Sequence, residues 1–267
     1  VEDRRNDISQ FQFNTRAAWE VSEKFNLTGG LLVDLFRGHN FNVIKDLLGG
    51  DYWLDVDQFA ERDFPNDPDA FQSDLNEPNN TVTVGETFGN SYYAIQRGAT
   101  LWGTGRYSNK RYSAYFSAHA RYTEMWREGL MKKGLFPDNS YGESEHLSYP
   151  TWGIKAGGDF RITGRHMIVL NTLFTKNPPL FRNAFLSPRT RNSSTPGLGQ
   201  ETIISGDISY ILRSPVVKGR LTAYYTRFND QTEVTSFYHD EWRTLVNYAM
   251  SGIDKENYGI EAGAEIS

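Results

Sequence analysis

Nine carboxylates crowd the stretch from Asp51 to Glu77, opposed by Arg62 alone. Carboxylates on a flexible loop are what a hard cation such as Ca2+ takes as ligands, and Asp55 and Asp57 are the candidate pair. The Asp-x-Asp-x-Asp-Gly order of an EF-hand is missing, and a solvated acidic loop has the same composition. Tyr52, Trp53, Phe59, Phe64 and Phe71 are interleaved with the acids, either as a platform for a ligand or as packing for the loop itself. A second segment carries Arg182, Arg189 and Arg191 among Pro and Ser, and an arginine fork suits carboxylate or phosphate groups. Surface solvation is the plainer role. His239-Asp240-Glu241, followed by Trp242, sets an imidazole beside two acids. The five histidines are scattered without a His-Glu-x-x-His spacing, and the absence of cysteine removes thiolate nucleophiles and thiolate metal sites. The chain therefore reads as a binding protein rather than an enzyme. Its candidate ligand-binding loop residues are Tyr52, Trp53, Asp55, Asp57, Arg189, Arg191, His239 and Trp242.

Loops of this kind need a scaffold, and its signal is a period of two. Phe11, Phe13, Ala17, Trp19 and Val21 fall on one side of an extended segment, with Gln12, Asn14, Arg16 and Glu20 on the other. The same alternation runs through Phe25–Leu35, Tyr93–Leu101, Tyr112–Tyr122, Trp152–Ile162, Ile204–Leu212, Val217–Tyr225 and Tyr258–Ile266. It is weaker in Met167–Lys176. Nine strands result, each longer than the five or six residues usual in soluble sheets. Short connections near 22–24, 108–110, 163–164 and 213–216 alternate with long ones over about 37–90, 126–149, 177–200 and 229–256. Transmembrane barrels pair short periplasmic turns with long extracellular loops in this way.

Composition points the same way. Hydrophobic residues make up 38% of the chain, yet aromatic residues reach 14%. No run is long and apolar enough for a transmembrane helix. A barrel reconciles few aliphatics with many rings, because alternate residues face lipid and aromatic girdles mark both interfaces. Tyr112 and Tyr122 stand ten residues apart on one face, a rise of roughly 25 Å at a tilt near 40°, about the height of a barrel's apolar belt. The opposite faces carry more charge than a dry core tolerates. A net charge of −5 leaves no basic footprint for nucleic acid. An odd strand number has two edges to pair in lipid, so the chain is expected to be part of a longer barrel.

The last third is more specific. Asp207-Ile208-Ser209-Tyr210 followed by Val217–Asp230 resembles consecutive barrel strands of TonB-dependent outer-membrane receptors. Val246-Asn247-Tyr248-Ala249 followed by Tyr258-Gly259-Ile260-Glu261 resembles their return segment. Ser187–Asn192 and Tyr52–Asp57 resemble a Bacteroidetes-type subgroup that carries a carboxypeptidase-like regulatory extension. The resemblance implies that residues 1–267 are part of a roughly 22-stranded antiparallel transmembrane β-barrel, with the plug domain and the terminal strand outside them. It also implies import of a small nutrient: a siderophore, a cobalamin, an oligosaccharide or a peptide. The implied partners are the TonB complex, reached through regions outside this segment, outer-membrane lipid, and in some receptors a surface lipoprotein. A passive porin-like barrel and a soluble carbohydrate-binding β protein are the rival readings.

Overall fold

The computed structural model describes residues 1–241 and 243–266. Strands β1 (Glu2–Asn14), β2 (Ala17–Ser22) and β3 (Phe25–Ile44) come first. The connection after β3 holds β4 (Trp53–Leu54), helix α1 (Gln58–Asp63) and β5 (Thr81–Val82). Next are β6 (Thr87–Ser108), β7 (Tyr112–Gly129), β8 (Gly142–Glu143), β9 (Leu147–Arg161) and β10 (His166–Asn177). The one-turn helix α2 (Phe181–Ala184) precedes β11 (Glu201–Arg213), β12 (Val217–His239) and β13 (Thr244–Ile266). Eleven strands form one antiparallel sheet whose main path is β1-β3-β6-β7-β9-β10-β11-β12-β13, while β4 and β5 pair apart from it. The nine strands of this path are the nine expected, and the four short turns fall where they were expected.

Two expectations about length are corrected. The alternation of Phe11–Val21 predicts one strand, but the segment divides between β1 and β2 around Thr15 and Arg16. Both pieces stay in register against β3, with Asn14 opposite Leu32 and Ala17 opposite Gly29. The Thr15 hydroxyl accepts the Leu31 N–H at 3.1 Å, so a side chain enters the ladder where the break falls. The long connection expected over 229–256 is instead a two-stranded ribbon. β12 and β13 run 23 residues each and turn only between His239 and Thr244. Thr232–Tyr238 is rich in β-branched and aromatic residues, which favour extended pairing. Register shifts between Phe228 and Glu233 mark a bulge that bends the ribbon at its base.

The two faces of the sheet differ as a barrel requires. Leu101 is 66% exposed, Phe116 54%, Ile208 50% and Leu221 49%. Among the described residues no second layer covers these rows, unlike the sealed interior of a sandwich. The opposite face is knitted by polar side chains. Arg121 grips Asp34 with both nitrogens, at 2.8 and 2.9 Å, across the intervening strand β6. It also donates to Thr100 and Thr123. Tyr115 donates to Asn171 at 3.0 Å, and Asn171 donates to Asp207 at 3.1 Å. Ser209 meets Thr222 at 2.8 Å and accepts from Arg220 at 3.1 Å. Most charges and dipoles here are matched by a neighbour, as burial from bulk water demands, while Asp159 Oδ2 is buried without a hydrogen bond.

Gly98 lies under the Arg121–Asp34 fork, and a Cβ there would collide with the guanidinium and stand 2.8 Å from Asp34 Oδ1. Gly98→Val should therefore displace the fork and cost about 1–3 kcal/mol by overpacking. A urea titration of the bilayer-folded protein should show the lower midpoint; an unchanged midpoint would mean the fork is slack.

Candidate ligand-binding mouth

Strands of 18–23 residues overshoot a belt about 25 Å tall, and the excess rises at the end where the long connections sit. There the loops fold into a crown with its own dry core. Met125, Tyr149, Ala184 and Phe185 are buried together, with Leu147, Phe181 and Leu198 packed on them. The crown is a chain of loop-to-loop bonds. Leu75 N–H donates to Lys132 O and Gly134 N–H to Gln72 O, which join the 45–86 loop to the 130–146 loop. Asn192 N–H donates to Asn139 O, joining 130–146 to 178–200. Asn183 donates to Thr232 O and Asn247 to Leu186 O, each at 2.7 Å, which ties 178–200 to the ribbon. Arg62, in α1, reaches the ribbon tip at Arg243 O over 3.5 Å.

Two buried cations hold these joints. Arg127 is 1% exposed. Its Nε donates to Pro188 O at 2.6 Å, its Nη1 to Ser140 O at 2.8 Å and to Asn192 Oδ1, and its guanidinium lies over the Tyr92 ring. Lys133 is 7% exposed, and its ammonium donates to Ser73 O at 2.9 Å and to Gly89 O. Burial pushes this amine down to about 8, against the pull of Asp55, Asp74 and Asp57. Gly89 sits at a bulge where β6 carries extra residues opposite Phe41 and Asn42, with a φ of +70° that favours glycine.

The candidate residues are distributed around this crown. Tyr52 is 61% exposed. Trp53 belongs to β4, opposite Val82, and meets Phe88 edge-on at 6.5 Å. Asp55 is buried and accepts the Gly89 N–H at 2.8 Å, so it helps Lys133 to fix the bulge. Asp57 is the N-cap of α1, accepting from Phe59 and Ala60 N–H. Both carboxylates have structural duties, and among the described residues no three His, Asp or Glu converge as a cation's ligand set. Arg189 is exposed in the 187–191 turn, while Arg191 lies over the Phe136 ring at 4.9 Å. His239 ends β12 at the ribbon tip, tilted on Phe237 at 6.3 Å. Trp242 lies outside the described residues. The described side chains thus occupy separate parts of the crown: the 52–57 segment beside the β4–β5 pair, the 187–191 turn and the ribbon tip.

A cleft of about 340 Å3 opens between the 178–200 loop and the bent base of the ribbon. Arg182, Glu201, Gln231, Glu233 and Lys255 line it, and Gln231 donates to Glu201 at 2.6 Å. Sequence reasoning singled out Arg182 but missed the others, because the bulge that brings Gln231 and Glu233 beside Glu201 leaves no mark in the alternation.

No family model matches the chain, and no curated protein matches it. Among solved structures it is similar in fold to one titled copper transporter OprC, with a TM-score of 0.65 over 98% of this chain at 8% identity. Its fold is that of a transmembrane β-barrel wall. It spans 36% of the OprC chain, about a third. A Pseudomonas aeruginosa FadL homologue aligns over 97% of this chain and 68% of its own, at 14% identity and a TM-score of 0.34, too low to carry an argument.

Proposed function

We propose that the chain belongs to a TonB-dependent receptor of the bacterial outer membrane, which imports a small nutrient captured beneath the crown. One observation carries this reading: the apolar rows stand uncovered while the polar rows are bonded to one another. That is the arrangement of a wall between hydrocarbon and a hydrated lumen. In this reading the turns face the periplasm, the crown faces the medium, and the TonB complex is engaged through regions outside these residues. The Bacteroidetes-type assignment rests on Tyr52–Asp57 and Ser187–Asn192, which both lie in the crown. A surface lipoprotein would there meet the outer face of the loops.

The mouth cleft mixes Arg182 and Lys255 with Glu201 and Glu233, and suits a ligand rich in donors and acceptors. An oligosaccharide or a peptide fits this better than a bare metal ion, whatever the copper transporter carries. The test is to purify the full-length protein from membranes, identify what stays bound by mass spectrometry, and assay copper in the same sample. A bound polar organic molecule is expected; stoichiometric copper alone would overturn the ligand assignment.

The membrane orientation has its own test. Phe116 lies midway between Tyr112 and Tyr122, and Phe116→Arg should cost about 2–4 kcal/mol of folding into bilayers. Folding yields in lipid vesicles would show it. A soluble sandwich or secreted domain would accept arginine at a half-exposed position with little change.

A further inference from the structure

Above the belt, the outward face of the sheet is no longer apolar. Trp126 on β7 stands four residues beyond Tyr122 towards the crown, about 10 Å higher at the usual rise and tilt. A cavity of about 470 Å3 lies against it, lined by Phe11 of β1, Leu35 and Arg37 of β3, Arg97 of β6, and Glu128 of β7. The strand registers place all of these side chains on the lipid-facing side, away from the lumen: Leu35 is opposite Phe11 and Arg97, and Ile95 is opposite Arg37 and Trp126.

The cavity carries both signs, Arg37 and Arg97 against Glu128 and Glu143, but its acids have partners of their own. Arg97 lies over the Trp126 ring at 4.8 Å, and Arg37 lies over the Tyr93 ring at 3.6 Å. Ring faces hold a guanidinium in place but leave its N–H fork free. Trp126 is 3% exposed, and its indole N–H has no partner. The nearby carboxylates are partly occupied. Glu124 and Glu143 flank His146 at 3.2 and 3.4 Å, and His146 is itself stacked on Trp126 at 4.3 Å. Glu128 stands 3.9 Å from Arg37, beyond a charge-assisted hydrogen bond. The Arg97 fork and an orphan N–H therefore await an acceptor, Arg37 has only a long ion pair to Glu128, and the exposed apolar side chains Phe11 and Leu35 lie beside them on the same face.

We propose that this outward cavity seats the phosphorylated headgroup of an outer-leaflet glycolipid, with Arg37, Arg97 and Trp126 as donors and the acyl chains running down Phe11 and Leu35. The inference rests on the outer-membrane reading above. It concerns the lipid side of the wall and is independent of the imported nutrient. A phosphomonoester supplies acceptor oxygens and charge, and the cavity lies on the face of the sheet that the bilayer would meet.

The test uses the full-length protein in detergent, titrated with a diphosphorylated disaccharide glycolipid or its dephosphorylated form and read by native mass spectrometry. The wild type should retain the phosphorylated form about tenfold better, the worth of about one strong charge-assisted contact beyond packing. Arg37→Gln with Arg97→Gln should abolish the preference. The charge-conserving Arg37→Lys with Arg97→Lys should keep part of it, and Trp126→Phe should weaken retention a few-fold. A mobility shift on unheated gels confirms that each variant is a folded barrel. Equal retention of both glycolipids by the wild type, or an undiminished preference in the glutamine variant, overturns the headgroup site alone. Tight binding of inorganic phosphate without lipid would assign the donors to a soluble anion and overturn it too. A wild-type protein absent from the outer-membrane fraction overturns this proposal and the receptor reading together.

Discussion

Arg127→Met should loosen the crown while leaving the wall intact. The substitution keeps most of the volume, because a methionine fills irregular space without strain. It removes the donors to Pro188 O, Ser140 O and Asn192 Oδ1 at once. A buried acceptor left unsatisfied costs about 1–3 kcal/mol, so three of them in two loops make a loss of about 3 kcal/mol or more. Residues 130–146 and 178–200 should then become sites of rapid hydrogen exchange and proteolysis, while the barrel still migrates as a folded species on unheated gels. Arg127→Lys should recover only part of the protection, since one ammonium cannot reproduce a planar fork. Unchanged protection in the methionine variant would show that the loops are held by Met125, Tyr149 and Phe185 without help from the cation.

Lys133 predicts a dependence on pH. Its amine titrates near 8 in the folded crown, against 10.5 when exposed. Below pH 8 the ammonium is charged in both states, and the cost of burying it is fully present. Between about 8 and 10.5 the unfolded chain holds the proton that the folded one has lost, so crown stability rises with pH across that window. The gain is on the order of 3 kcal/mol. Pulse proteolysis in urea at pH 7.5, 9 and 10 measures it. Lys133→Met should remove this slope, and at pH 7.5 it should also leave Ser73 O and Gly89 O without their donor. Parallel slopes in the two proteins would mean that the titration belongs elsewhere.

The wall was legible in the sequence because each strand's two faces meet different solvents. Tyr112-Ala114-Phe116 against Ser113-Tyr115-Ser117 states the pairing rule locally, and Asn109, whose side chain accepts from Arg111 and Tyr112 N–H, states the turn. The ribbon was misread for a physical reason. Beyond the membrane both of its faces meet water, so Thr232–Tyr238 and Leu245–Met250 carry no one-sided apolar pattern, although their β-branched and aromatic residues favour pairing. The crown was hidden more deeply. Nothing local marks Lys133, and Arg127 lies just past the Tyr112–Tyr122 alternation, but both are buried by segments tens of residues away. Asp55 and Asp57 were noticed for their charge, and their roles in a bulge and a helix cap became visible only with the fold. Arg37 and Arg97 interrupt an otherwise apolar row, which was a readable sign that the row leaves hydrocarbon there.

The placement of the buried apolar cluster has a thermodynamic consequence. Met125, Tyr149, Ala184 and Phe185 sit in the water-surrounded end, whereas Leu101, Phe116 and Leu221 exchange one greasy neighbour for another when strands part inside a bilayer. Exposure of apolar groups to water is what raises the heat capacity on unfolding. Calorimetry of this molecule in lipid would therefore register the melting of its loops with a strong curvature in temperature, and the separation of its strands with almost none.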